Sequence, residues 1–483
     1  MSKSPLKILF VSTEVSPYSK TGGLGDVAGS LPKALRGKGV DMRVVMPKLS
    51  SIDAMHFEGA RLAANFTVHL SWRAQNAAVY ALDAHGDGDS VYFIENDFYF
   101  NRDSLYGHSD DHERFSFFTK AAIEMLGHID FKADIIHFND WHSGLGPVYL
   151  RDMYRGFTFY NSMKSLFTIH NLHYQGNFAR QALESIGLND SYFTNGGLEF
   201  YGNISFMKAG ILYSDAVSTV SRTYAAEIMT PSYGYGMDGM LRKRGRDGRL
   251  FGIVNGIDTT SHDPETDPRL FVNFNKDTPG QKRENKHRLQ EALGLTVSDA
   301  PMFSMVTRLA EQKGLDIVSM IMDELMSMDI QLVVLGSGES RYESVFRSYT
   351  ERFPHKVSAN ITFDSTLAQR IYAGSDIFLM PSVYEPCGLG QLFALRYGTI
   401  PIVRKTGGLA DTVRHYDRGT GQGNGFAFED YVAAALMWAV KEALDVYGTA
   451  EWDTLVKNAM SGDFSWDSSA GEYVELYKNI LKL

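Results

Sequence analysis

Arg308 and Lys313 lie in the run Thr307-Arg308-Leu309-Ala310-Glu311-Gln312-Lys313-Gly314, directly after the apolar stretch Met302–Val306. If that stretch is a strand, both cations fall at its carboxyl end, where open α/β sheets bind ligands. A guanidinium grips phosphate oxygens bidentately and an ammonium adds a point charge, a combination suited to a diphosphate. The alternative is a solvated surface loop, the ordinary fate of an isolated Arg/Lys pair. A second segment, Pro381-Ser382-Val383-Tyr384-Glu385-Pro386-Cys387-Gly388-Leu389-Gly390-Gln391, follows the apolar run Ile377–Met380 and precedes the apolar helical pattern 392–397. Gly388 and Gly390 leave backbone N–H groups open at a helix start, an anion cradle that includes Leu389. Glu385 can take sugar hydroxyls or steady positive charge at an anomeric carbon, against the plainer role of complementing a helix N-terminus. Cys387 has no His or other base in its motif and reads as a small packed thiol.

In the first half, the apolar run 135–138 leads into Asn139-Asp140-Trp141-His142-Ser143-Gly144. The run 165–169 leads into His170-Asn171-Leu172-His173-Tyr174-Gln175-Gly176. An aromatic beside Asp, His and Asn at sheet ends suits a sugar, whose apolar face stacks while polar groups take its hydroxyls. The spacings of His137, His142, His170 and His173 match no standard zinc arrangement, so no metal site is expected. Asp87-Gly88-Asp89, which superficially resembles a metal-binding Asp-x-Asp, sits in a Gly/Asp-rich stretch and reads as an acidic turn.

One local pattern occurs twice. Lys20-Thr21-Gly22-Gly23-Leu24-Gly25-Asp26 recurs as Lys405-Thr406-Gly407-Gly408-Leu409-Ala410-Asp411, each after a strand-like run and before a helical one. Paired glycines permit close backbone approach ahead of unpaired helix N–H groups. Either copy alone reads as a tight turn; the pair points to two related nucleotide-binding-like domains.

The elements that position these residues alternate. Strands are expected at 8–12, 42–46, 91–94, 135–138, 165–169, 216–220 and 250–254, with helices near 27–37, 115–128 and 204–213. The pattern restarts with strands at 302–306, 331–335, 361–363, 377–380 and 400–403, and with helices from Gly314 and Arg341. Such alternation predicts parallel sheets covered on both faces. Residues 259–278 have the Asp, Pro, Thr and Asn content of a linker, which places a hinge near 256–275. The expected organisation is a domain over 1–255, a hinge over 256–275, a second domain over 276–460, and a helical tail over 461–483 that can cross back to the first domain. With 483 residues, two domains are the natural outcome. A net charge of −10 argues against nucleic-acid binding. One cysteine fits a reducing compartment. No apolar run is long enough to span a bilayer, and the short polar lead-in Met1 to Pro5 lacks a signal-peptide core, so a cytoplasmic location is expected.

In this order, the motifs closely resemble those of the bacterial glycogen synthases and plant starch synthases. The likeness runs through Ser12-Thr13-Glu14, the Lys20 loop, Asp140-Trp141-His142, Thr168-Ile169-His170-Asn171, Ser205 to Gly210, Tyr235 to Gly239, Asn255 to Asp258, Arg308 to Gly314, Glu385 to Gln391, Lys405 to Asp411 and Asp463 to Trp466. It implies a GT-B type fold, two Rossmann-like α/β domains facing a deep cleft. It also implies an enzyme that transfers glucose from ADP-glucose to the non-reducing end of an α-1,4-glucan with retention, releasing ADP. By matched position, Lys20, Gly22, Gly23, Arg308, Lys313 and the Gly388-Leu389-Gly390 backbone engage the nucleotide sugar. His170 and Glu385 line the glucosyl site, with Arg308 and Lys313 also serving the chemistry. Glu14, Asp140, Trp141 and Asn171 meet glucose or acceptor. Neither metal nor pyridoxal phosphate is expected. Two positions depart from the family pattern: Gly390 stands where many members have Thr, and His262 where Trp is common, which leaves local hinge packing open. A preference for UDP-glucose, a phosphorylase using pyridoxal phosphate and a non-catalytic glucan-binding scaffold are the competing readings.

Overall fold

The structure, a computed structural model, describes residues 5–482 apart from His85, Asp87 and Asp89. Asp87 and Asp89 of the Asp87-Gly88-Asp89 turn and most of the N-terminal lead-in therefore fall outside the described residues. The chain divides into two compact units, one reaching to Gly256 and resuming at Trp466, the other Ile257–Ser465.

The first unit is built on strands β1 (Lys7–Val11), β2 (Asp41–Pro47), β3 (Arg61–Leu70), β4 (Arg73–Leu82), β5 (Val91–Glu95), β6 (Ile135–Asn139) and β7 (Lys164–Ile169). A small satellite sheet follows, from β8 (Asn177–Ala179), β9 (Glu199–Phe200) and β10 (Asn203–Ser205), and then β11 (Ala216–Thr219) and β12 (Leu250–Gly252). The main sheet runs β12-β11-β7-β6-β1-β2-β5-β4-β3. It is parallel from β12 to β5, but β4 and β3 extend it as an antiparallel edge. That edge was not legible: its two strands hold six Ala and two Asn, residues depleted in β structure. The alternation of β1 sorts its side chains between two layers. Ile8 and Phe10 pack with Leu31 and Leu35 of helix α1 (Gly23–Gly37), whereas Leu9 and Val11 share a core with Phe117, Phe118 and Ile123 of α2 (Asp111–His128).

The tail divides at Ser465/Trp466. Its last helix, Trp466–Ile480, joins the first unit, where Trp466, Tyr473, Tyr477 and Ile480 complete the α1-side core. Tyr477 Oη lies 2.9 Å from His137 Nδ1, and His137 Nε2 lies 2.6 Å from Thr168 Oγ1. The first contact holds this helix on the sheet and the second ties His137 to the neighbouring strand β7.

The second unit carries β13 (Met302–Val306), β14 (Gln331–Leu335), β15 (Val357–Asn360), β16 (Ile377–Met380), β17 (Ile400–Arg404) and β18 (Phe426–Phe428), all parallel in the order β15-β14-β13-β16-β17-β18. The strand expected at 361–363 lies earlier, because Val357 is buried against the sheet while Phe363 is 88% exposed. Residues 257–275 are also not a free linker. Leu270 and Phe274 are buried with Tyr372 and Tyr397, and the Asp267 carboxylate takes the Tyr397 hydroxyl at 2.6 Å and Arg269 at 2.7 Å. Polar composition here serves turns and buried hydrogen bonds. His262 stacks on Phe393 with ring centroids 4.2 Å apart and planes 19° off parallel, so this smaller ring still has a packing partner.

Candidate active site

Strand order reverses once in each main sheet. From β1 the chain steps outward through β2, and β6 returns on the other side; from β13 it steps through β14, and β16 returns on the other side. At such a point neighbouring loops diverge and leave a crevice beyond the strand carboxyl ends. The sequence-predicted residues sit at these two places.

In the first unit, Glu14 follows β1, Asp140 follows β6 and His170 follows β7, three adjacent strands. Glu14 is buried and its carboxylate is fully engaged. Oε2 accepts the Thr21 N–H at 2.6 Å and the Gly22 N–H at 3.0 Å, while Oε1 accepts the Thr21 hydroxyl and the Tyr106 hydroxyl, each at 2.7 Å. With these four bonds to protein, Glu14 fixes the Lys20 loop. Within that loop Lys20 pairs with Asp26 at 2.7 Å, and a Cβ added at Gly22 or Gly23 would meet open space.

Asp140 has φ +59, ψ 177, a backbone region nearly reserved for glycine, and its Oδ1 accepts the Trp141 N–H. Burial pushes its carboxyl up to about 8, with the Glu14 charge adding to this and the Trp141 bond opposing it. At neutral pH it is mainly the acid and can donate a hydrogen bond. His170 Nε2 lies 3.0 Å from Asn139 Oδ1. The Asn139 amide nitrogen points to the carbonyls of Val11 and His137, so Oδ1 is an acceptor and His170 carries its proton on Nε2. Burial pulls the imidazole down to about 3, which leaves a neutral ring with Nδ1 as an acceptor. Asn171 Oδ1 accepts the His173 N–H at 3.1 Å and shapes the same loop. Trp141 is a support rather than an open stacking face. Phe115 meets it edge-on at 5.3 Å, and Gly176 lies so close to the ring that any Cβ would strike it.

In the second unit, Lys313 follows β13 and Glu385 follows the neighbouring β16; Lys313 Nζ meets Glu385 Oε2 at 2.7 Å, with both side chains largely buried. Ser382 Oγ donates to the same oxygen at 3.1 Å. Arg308 is exposed and, among the described residues, its guanidinium has no hydrogen-bond or ion-pair partner. Gly388 has φ +75 in the turn before helix Gly390–Arg396, with Leu389 as its N-cap residue. A Cβ at Gly390 would press on the Phe378 ring at 3.2 Å, which gives the glycine at this position a packing reason.

The second Lys-Thr-Gly-Gly-Leu-x-Asp loop differs from the first. Gly407 and Gly408 are buried, and a Cβ on either would collide with the backbone of Glu385 or Cys387. The Gly408 N–H donates to the Glu385 carbonyl at 3.1 Å. This copy buttresses the turn that carries Glu385. Among the described residues no three His, Cys, Asp or Glu side chains cluster so as to hold a metal ion.

Tyr106, Asn139 and Ser382 complete these arrangements and carried no separate signal. Asn139 and Ser382 stand inside recognised motifs, whereas Tyr106 lies in an irregular loop 92 residues from the carboxylate it serves.

Residues 7–243 match the model of the starch synthase catalytic domain, and residues 290–457 match that of the group 1 glycosyl transferases. The chain is 50% identical over 479 residues to a glycogen synthase of Desulforamulus reducens, covering 99% of each, and 51% identical over 496 residues to one of Desulforudis audaxviator, covering 100% of this chain and 98% of that one. The catalytic domain of starch synthase IV from Arabidopsis thaliana, solved bound to ADP and acarbose, superposes with a TM-score of 0.91 at 34% identity, covering 99% of this chain and 100% of that one. A sucrose-phosphate synthase from Thermosynechococcus elongatus, at 18% identity and TM-score 0.61 over 99% of both chains, shares the fold alone. That fold is the two-domain α/β architecture of GT-B glycosyltransferases.

Two outcomes follow from this geometry. Gly408→Ala should cost about 1–3 kcal/mol of stability through overpacking against Cys387, whereas Gly22→Ala should stay within about 0.5 kcal/mol; denaturant titration of both variants checks the contrast. The second concerns pH. His170 titrates near 6.5 when unfolded and near 3 when folded, so the unfolded chain takes the proton first. Its stabilising contribution is intact above pH 6.5 and is lost as pH falls toward 3, about 1 kcal/mol by pH 5.5. His170→Gln should therefore flatten the fall in Tm between pH 7 and 5.5, and an unchanged slope would assign the acid lability elsewhere.

Proposed function

The chain belongs to the family of bacterial glycogen synthases and plant starch synthases, and from that premise we propose that it transfers glucose from ADP-glucose to the non-reducing 4-hydroxyl of an α-1,4-glucan, with retention. The observation that carries the reading is the Lys313–Glu385 pair at the second unit's switch point, beside the exposed Arg308. When the anomeric C–O bond breaks, negative charge grows on the departing ADP oxygen. Arg308, Lys313 and the Gly388-Leu389-Gly390 backbone are the groups proposed to meet it, and one such preorganised donor is worth on the order of 3 kcal/mol. Glu385, anchored by Lys313 and Ser382, faces the oxocarbenium-like sugar. The proton of the acceptor hydroxyl leaves with the departing phosphate on the same face, which yields retention without a covalent sugar–enzyme intermediate.

Within the first unit, we propose sugar-binding roles for groups beyond the ends of β1, β6 and β7. His170 accepts a hydrogen bond from a sugar hydroxyl at Nδ1, Asp140 donates one as the acid, Asn171 adds a polar contact, and Lys20, Gly22 and Gly23 present the loop that Glu14 holds for the diphosphate. Phe363, just beyond β15 on the second sheet's carboxyl edge, offers an exposed flat ring to the nucleobase. The adenine nucleotide in the Arabidopsis structure supports ADP-glucose over UDP-glucose. The cations on these loops can balance the leaving group's charge, so we propose that the reaction needs no metal.

Incubation with ADP-glucose or UDP-glucose and maltooligosaccharides, with chelator present, should give chain extension with ADP-glucose at undiminished rate. No extension with either donor overturns the assignment, and loss on chelation overturns its metal-free part. Lys313→Met and Glu385→Gln should each lower kcat on the order of 100-fold or more. Each also destabilises, because it strips a largely buried charge of its partner. The double variant should recover stability in thermal unfolding but not activity. Recovery of both would make the pair merely structural.

A further inference from the structure

The turn from Glu385 to Leu389 in the second unit has its backbone sorted by direction. The Gly408 N–H donates to the carbonyls of Glu385 at 3.1 Å and Pro386 at 3.2 Å. The next two carbonyls, of Cys387 and Gly388, each accept from Gln391 Nε2 at 3.1 Å. Four successive carbonyls are thus held by one backbone amide and one side chain. Gln391 is fully buried. Its nitrogen also meets Thr412 Oγ1 at 3.2 Å, and the Thr412 hydroxyl donates to the Gly408 carbonyl at 2.7 Å. All three atoms facing Nε2 are therefore acceptors, which fixes the orientation of the amide. Its Oε1 is buried without a partner, so the bonds of the nitrogen alone decide where the group sits.

A trans peptide is planar, with its N–H opposed to its C=O. Pinning the Cys387 and Gly388 carbonyls on Gln391 therefore turns the N–H groups of Gly388 and Leu389 away from it. Gly388 at φ +75 and Leu389 at φ −117, ψ −29 are a left-handed and a right-handed residue in succession, a conformation that gathers neighbouring N–H groups around an anion. Among the described residues neither N–H has a hydrogen-bond partner. We infer that Gln391 is a positioning residue for the transfer: it fixes these two amides for the leaving diphosphate, and Thr412 holds it in place. The second Lys-Thr-Gly-Gly-Leu-x-Asp loop, which supplies Gly408 and ends at Thr412, is the other half of the same brace. The inference rests on the assignment of this turn to the diphosphate, and the test separates the two.

Gln391→Met keeps the length and apolar bulk of the side chain and removes both of its donor hydrogens. Its affinity for ADP, measured by calorimetry, should fall on the order of ten-fold while that for AMP is unchanged. Its kcat should fall on the order of 100-fold, with the KM for the glucan unchanged. Thr412→Val leaves the Gln391 donor but frees its orientation, and should shift the ADP-to-AMP ratio the same way by about three-fold. It decides alone if Gln391→Met does not fold. An unchanged ratio in Gln391→Met, or equal losses for both nucleotides, makes Gln391 a structural residue and overturns the inference. An unchanged ratio in Thr412→Val alone removes Thr412 from the brace. A wild type that binds ADP no more tightly than AMP overturns the inference as well. Failure of the wild type to extend a glucan would instead overturn the function, and the nucleotide ratio would still decide the role of Gln391.

Discussion

Each main sheet reverses its strand order once, and nearly everything proposed to act on a ligand hangs from that reversal. Parallel strands send all their carboxyl ends to one edge, and a reversal parts the loops on that edge. In the first unit this sets Glu14, Asp140 and His170 on three adjacent strands; in the second it sets Lys313 and Glu385 on two. Strand pairing, driven by buried apolar runs such as Lys7–Val11 and Gln331–Leu335, therefore delivers polar groups that local sequence could never bring together.

Carboxylates act at these edges mainly as organisers. Glu14 holds backbone and hydroxyl donors of a glycine loop, while Glu385 is held by an ammonium and a hydroxyl. Asp140 takes the opposite course: burial keeps it protonated and makes a donor of an acidic side chain. His170 beside Asn139 is likewise kept neutral by burial.

The repeated Lys-Thr-Gly-Gly-Leu-x-Asp spelling shows how one local sequence serves two ends. A Cβ at Gly22 or Gly23 would meet open space, whereas Gly407 and Gly408 are pressed against the Glu385–Cys387 backbone. The first copy presents a loop and the second supports one. The neighbours decide, because both copies obey the same local rule that glycine permits close approach.

Alternating apolar runs were enough to read two α/β units, the strands 302–306, 331–335 and 377–380, and the position of Arg308, Lys313, Asp140, His170 and Glu385 at strand ends, since burial of a parallel strand demands a continuous apolar stretch. The antiparallel edge β3–β4, the packing of residues 257–275 into the second unit and the seat of the last helix on His137 escaped that reading. Their sequences are polar or aperiodic, and their contacts join residues far apart in the chain. The same limit applies to Glu14. Its type and place after β1 were legible, but its duty was fixed by Thr21, Gly22 and Tyr106, and a carboxylate's role follows from which donors reach its oxygens in three dimensions.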